Sequence, residues 1–133
     1  MPTPLATMDK RVTDFVKKYY STLDSWDHSS KDLEAFYDDR SVLMWEGGFV
    51  PTRTGIIGFL RKMPSMKHKV DSIEADGDEY SSVAEVVGKL TMGEDEGRSY
   101  KETFIITVHE DSSLALYVSF PLLFLGYFLN VED

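Results

Sequence analysis

Apolar residues recur at helical spacing in the first half of the chain and at alternate positions in the second. Val12, Phe15, Val16, Tyr19, Tyr20 and Leu23 fall on one face, with Lys10, Asp14, Lys17 and Lys18 left wet. That spacing predicts a helix from about Thr7 to Leu23, ended by the polar stretch Asp24 to His28. Ser29 precedes Asp32 as a loose cap, and Leu33, Phe36 and Tyr37 predict a second, shorter helix. Ser41 to Glu46 reads as a strand. Thr52 then caps a third helix with Ile56, Ile57, Phe59, Leu60 and Met63 on its buried stripe. Pro64 stops it, because the residue before a proline is pushed out of the α region.

From there the period becomes two. Strands are predicted at Lys67–Ala75, Ser82–Met92, Arg98–Val108 and Leu114 to about Phe120, separated by Asp76-Gly77-Asp78, by residues 93–97 and by residues 109–113. The third is the clearest, with Tyr100, Glu102, Phe104, Ile106 and Val108 on one face. Short turns between successive strands predict an antiparallel meander, so the class is α+β with helices on one sheet face. The outward set is Glu85, Val87, Lys89, Lys101, Thr103 and Ile105. Its mixture of apolar and charged groups reads as a partner interface, or else as a merely amphipathic surface.

A length of 133 residues fits one domain over 1–133, large enough for a real core. The absence of cysteine excludes disulfides, zinc–thiolate sites and a thiol nucleophile. A net charge of −9 with dispersed Lys and Arg argues against direct nucleic-acid binding. The start of the chain has no apolar signal core, which argues against secretion. Leu114 to Leu129 carries no charge, but Pro121 and Gly126 interrupt it and it falls short of the roughly 20 apolar residues of a spanning helix. It reads as a buried strand and its continuation, with a tail anchor as the lesser alternative.

Candidate chemistry is sparse. Trp45-Glu46-Gly47-Gly48 closes a short apolar strand, sets a carboxylate beside an aromatic wall and lets the backbone reverse at its glycines. Glu46 is either an acceptor for a partner Lys or Arg in a partly dry pocket or a solvated turn acid. Glu94, Asp95 and Glu96 suit a solvated hairpin tip better than a calcium loop. His28, His68 and His109 lie in different elements without zinc spacing, so no metal and no cofactor are expected. No phosphate-binding glycine loop or serine elbow is present. Glu102 shares parity with Tyr100, Phe104 and Ile106 and should point inward toward Tyr19, Tyr20 or Tyr37. There it is either a general base or a hydrogen-bond partner for a tyrosine hydroxyl.

The order of elements resembles the cone-shaped fold of the nuclear transport factor 2 superfamily. Phe15-Val16-Lys17-Lys18-Tyr19-Tyr20-Ser21-Thr22-Leu23-Asp24 resembles the family's first helix, and Leu33 to Tyr37 its short second helix. Trp45-Glu46-Gly47 is similar to its Trp-Glu/Asn-Gly strand end, and Phe59 to Ser65 to its third helix. The resemblance spans roughly Phe15 to Val108 and implies three helices packed on a strongly bent antiparallel sheet, with no catalysis. Met63-Pro64-Ser65, the strand end from Asp71 to Asp76 and the run from Arg98 to Thr107 resemble the small cofactor of the messenger-RNA export receptor. That branch implies a heterodimer through the outer sheet face, contacts with nucleoporin Phe-Gly repeats, and residence in nucleus, cytoplasm and nuclear pore.

Trp45-Glu46-Gly47 and Val86 to Leu90 look more like the import factor, a homodimer that carries the GDP form of the small GTPase Ran. Its acidic pocket maps to Trp45, Glu46 and Asp95, with Gly93 where a second hairpin acid would stand, so Ran-GDP binding is expected to be weak. Residues 117–124 replace the family's Asp-x-Phe-Arg ending and have neither its Asp nor its Arg. The same fold also hosts isomerases and dehydratases, which keeps an enzyme using Glu102 as the rival.

Overall fold

The computed structural model describes residues 4–27, 31–45, 48–78, 80–94, 97–109 and 114–122. Helix α1 runs over Pro4–Asp24 and helix α2 over Arg53–Arg61, with a single 3₁₀ turn at Asp32–Phe36 between them. The strands are β1 (Tyr37–Trp45), β2 (Gly48–Pro51), β3 (Met66–Gly77), β4 (Ser81–Met92), β5 (Arg98–Val108) and β6 (Leu114–Leu122). They form one sheet in the order β2-β1-β6-β5-β4-β3. The class is α+β, with a bent sheet that is antiparallel at every junction but one. The exception is β1 beside β6, which is parallel because the intervening helix and strands carry the chain across the sheet.

The expected second α-helix is a 3₁₀ turn, so the described residues contain two α-helices instead of three. Tyr37 is the first residue of β1, not the last of that helix, and β1 starts four residues ahead of the expected Ser41. The Arg53 guanidinium holds the Tyr37 carbonyl through Nε at 3.0 Å and Nη2 at 2.8 Å, which draws the backbone into extended form. Strand β2 was not foreseen: Trp45 pairs with Gly48 and Met44 with Phe49, so the reversal expected after Trp45 continues as a hairpin. Thr52 caps α2 as expected, its hydroxyl accepting from the Gly55 N–H at 3.1 Å.

Val12, Val16, Tyr19, Tyr20 and Leu23 of α1 and Ile56, Ile57 and Leu60 of α2 are buried with the inward residues of β4 and β5. α1 lies mainly on β3, and α2 on β1 and β2. Both helices therefore cover one sheet face. Irregular registers at Val70/Ser72 in β3 and Ile105/Ile106 in β5 give the local bending that bulges impose.

Candidate functional site

Alternation along β4 and β5 turns Ala84, Val86, Tyr100, Phe104 and Ile106 inward and leaves the other set outside. All six expected interface residues share that outer face: Glu85, Val87 and Lys89 on β4, with Lys101, Thr103 and Ile105 on β5. Val87 stands opposite Lys101, Glu85 opposite Thr103, and Val83 opposite Ile105. Val83 is 42% exposed and Val87 43%, while the Lys101 ammonium lies 3.7 Å from the Glu85 carboxylate. The face thus carries an uncovered β-branched centre among charges. An exposed ion pair of this kind contributes little to stability.

The expected acidic pocket is less visible. Trp45 ends β1, but its side chain, Glu46 and Asp95 lie outside the described residues. Gly93 sits in the turn after β4 at φ +58, and its N–H donates to the Ser65 carbonyl at 2.8 Å. Left-handed backbone favours glycine there over a side chain that bears an acid.

The other concentration of chemistry is inside the fold. Asp24, the last residue of α1, reaches across to β3: its Oδ1 lies 2.6 Å from His68 Nδ1, and its Oδ2 accepts the His68 backbone N–H at 2.7 Å. A carboxylate partner selects the Nδ1–H tautomer, in which the ring donates. The His68 ring stacks on Tyr20 at 4.3 Å and meets Tyr100 edge-on at 5.4 Å. Tyr20 donates its hydroxyl to Glu102 Oε1 at 2.7 Å. Tyr19 and Tyr37 join their hydroxyls at 2.5 Å, with either able to donate.

Glu102 therefore points inward as its parity predicts, and is only 6% exposed. The Asp24–His68 pair has no local spacing signature, because its members are 44 residues apart. Its signal was available in parity: His68 shares the inner face of β3 with Met66 and Val70. The Tyr100 hydroxyl is buried with no hydrogen-bond partner; it lies near enough to Tyr20 to influence it, yet no bond of good geometry joins them. Among the described residues no group of three or more His, Cys, Asp or Glu could hold a metal ion. Nor is any described helix long and apolar enough to cross a membrane.

Burial pushes the Glu102 carboxyl above its ordinary value of 4.5, opposed by the nearby His68 and by the Tyr20 hydroxyl. Burial likewise raises Tyr20, with the neighbouring Glu102 adding to the effect. Because the folded value of Glu102 exceeds the unfolded one, the folded protein holds the extra proton between the two. Stability from this residue falls as pH rises through that window. Glu102→Gln keeps a hydrogen-bond acceptor for Tyr20 and removes the titration. Its melting temperature relative to the parent is therefore expected to climb as pH is raised above 4.5. A difference that stays constant with pH, in melts followed by circular dichroism, would contradict this account.

A bent α+β sheet with helices on one face, an enclosed polar interior and an uncovered outer face defines a cone-shaped class of domain. The family model of the nuclear transport factor 2 (NTF2) domain matches residues 12–118, and the chain belongs to that family. No curated protein sequence matches it. Among solved structures it is similar to nuclear transport factor 2 from Cryptosporidium parvum, with a TM-score of 0.76 at 14% identity, covering 91% of this chain and 98% of that one. A proposed dehydratase of the NTF2-like family from Streptomyces avermitilis gives a TM-score of 0.73 at 9% identity, covering 86% and 94%. The yeast deubiquitinase Ubp3 and Bre5 cofactor complex gives 0.66 at 16% identity, covering 85% and 93%. Likeness at these identities shows the fold alone.

Proposed function

We propose that this chain is a non-catalytic nucleocytoplasmic transport cofactor that heterodimerises with a messenger-RNA export receptor through its outer sheet face. It works in nucleus and cytoplasm and supports passage through the nuclear pore. The observation that carries this reading is the outer face itself: Val83 and Val87, 42% and 43% exposed, beside half-buried Ile105 and bordered by Glu85, Lys89 and Lys101. An apolar centre with a polar rim has the anatomy of a protein interface. For Phe-Gly repeats, an open groove of about 460 Å³ between α1 and the 3₁₀ turn offers Phe15 and Phe36, whose rings meet edge-on at 5.4 Å.

Ile105→Glu would set a charge at the centre of that interface. It is expected to weaken the complex with the receptor's matching domain by about 30-fold, or about 2 kcal/mol. Sedimentation of the two purified chains measures this, and an unchanged melting temperature shows that the fold is intact. A monodisperse chain that ignores the receptor would sink the proposal.

The import alternative, a homodimer that carries Ran-GDP, draws on Trp45 and Glu46 but has Gly93 at one acidic position of the pocket. A second reading as a cone-fold isomerase or dehydratase draws on the Asp24–His68 pair and the inward Glu102. It requires substrate to reach a carboxylate that is 6% exposed and already bonded to Tyr20.

A further inference from the structure

The fold treats one tyrosine unlike the other described ones. Tyr19, Tyr20, Tyr37 and Tyr100 belong to the interior, and none is more than 4% exposed. Tyr80 is 71% exposed, more than Phe49 at 66%. Strand β3 ends at Gly77 and β4 begins at Ser81, so Tyr80 lies in the connection between them. Its N–H donates to the Asp78 carboxylate at 2.8 Å, and its carbonyl accepts the Val108 N–H at 2.9 Å. Asp78 Oδ1 also accepts the Ser81 N–H at 3.0 Å, and the Asp78 N–H donates to the Ser81 carbonyl at 2.9 Å. The turn is tight as well, since a Cβ added at Gly77 would sit 2.4 Å from that same carbonyl oxygen. Both backbone groups of Tyr80 are thus satisfied within the chain, and most of its side chain stands in solvent on a fixed stem.

We infer that Tyr80 is a phosphorylation site for a tyrosine kinase whose substrate groove is basic, with MgATP as the phosphoryl donor. The phenolic oxygen forms a bond to the γ-phosphorus, and the bond from that phosphorus to the β,γ-bridging oxygen breaks. ADP leaves, and the phenolic proton passes to the kinase's catalytic carboxylate. An in-line approach to the γ-phosphate needs a phenol that can enter the kinase cleft. Tyr80 meets that need in the folded state, whereas the four interior rings would first have to be released by unfolding. The class of kinase follows from charge. Asp76 and Asp78, both exposed, precede Tyr80 in the chain, and Glu74 stands opposite Glu85 at the same end of the β3–β4 pair. A groove lined by Lys and Arg complements that surface, and an acidic groove is repelled by it. The phosphate adds a charge of about −1.5 to −2 at pH 7 to an end of the sheet that is already acidic, which favours basic partner surfaces there. None of this depends on the export receptor.

The test incubates the full chain with MgATP and a purified tyrosine kinase domain that prefers acidic peptides, and locates phosphate by mass spectrometry of the digested protein. Tyr80 is expected to be the dominant site, in a protein that circular dichroism still shows to be folded. Tyr80→Phe should lower the initial rate about tenfold or more. Asp76→Asn combined with Asp78→Asn should lower kcat/KM about threefold or more, mainly through KM. The asparagine at 78 keeps an oxygen to accept from Tyr80 and Ser81, so the turn is retained. A kinase domain that prefers basic peptides should act about tenfold more slowly on the parent. The inference is overturned if no phosphate is incorporated, if it goes to other tyrosines in place of Tyr80, or if Tyr80→Phe is modified at the parent rate. An unchanged KM for the double asparagine variant, or equal rates with the two kinase domains, overturns the assignment to a basic groove.

Discussion

Asp24→Ala is expected to lower the unfolding free energy by about 3 kcal/mol, because it takes the acceptor from two buried donors of His68 at once. The Asp24 side chain retains 19% exposure, while that of His68 has only 3%. The loss therefore falls mainly on His68, whose ring nitrogen and backbone N–H are both stranded by the change. An acid in the last turn of a helix also opposes the macrodipole, and α1 has no basic residue there. Asp24 is therefore in a poor place for helix stability and in the right place to clamp α1 to β3. Asp24→Asn should lie between parent and Ala, since one amide oxygen still accepts while the amide nitrogen faces the second donor. Urea titrations of the three proteins give the order. An Ala variant within about 0.5 kcal/mol of the parent, the range of ordinary surface changes, would show that the clamp is dispensable.

Gly88→Ala should be nearly as damaging, at about 3 kcal/mol. A Cβ at Gly88 would sit 2.1 Å from the Lys69 carbonyl oxygen and 3.1 Å from Tyr100 Cε1. The obstacle is the backbone of a paired strand, so relief requires β3 to leave its ladder beside the register irregularity at Val70/Ser72. Gly58 in α2 is the matched contrast. An added Cβ there meets nothing within 4 Å, and Gly58→Ala should stabilise by about 0.5–1 kcal/mol through helix propensity. Thermal melts of both variants should move in opposite directions. A Gly88→Ala protein that melts with the parent would mean that β3 and β4 separate more easily than their register implies.

Much of the fold was legible because burial imposes a period. The stripe of α1, the cap at Thr52 and the alternation of β4 and β5 each follow from neighbours a few residues away. What failed was set from a distance. Leu33, Phe36 and Tyr37 have helical spacing, yet Tyr37 is extended because Arg53 binds its carbonyl and Tyr19 meets its hydroxyl. The parallel contact of β1 with β6 likewise joins segments some 75 residues apart, beyond any local pattern. The candidate sites divide in the same way. Parity placed Glu102 inside and the six outer residues on one face. The union of Asp24 with His68 needed the folded backbone.

The position of β6 has a consequence for how the protein is made. Five strands leave the ribosome before it, yet β6 lies in the middle of the sheet between β1 and β5. Until it emerges, the nascent chain has two partial sheets, β2–β1 and β3–β5, each with an open edge facing the gap. Unpaired edges of this kind invite pairing with other chains. Completion of the sheet thus waits for β6, and a ribosome stalled before Leu114 holds an open template for a chaperone to shield.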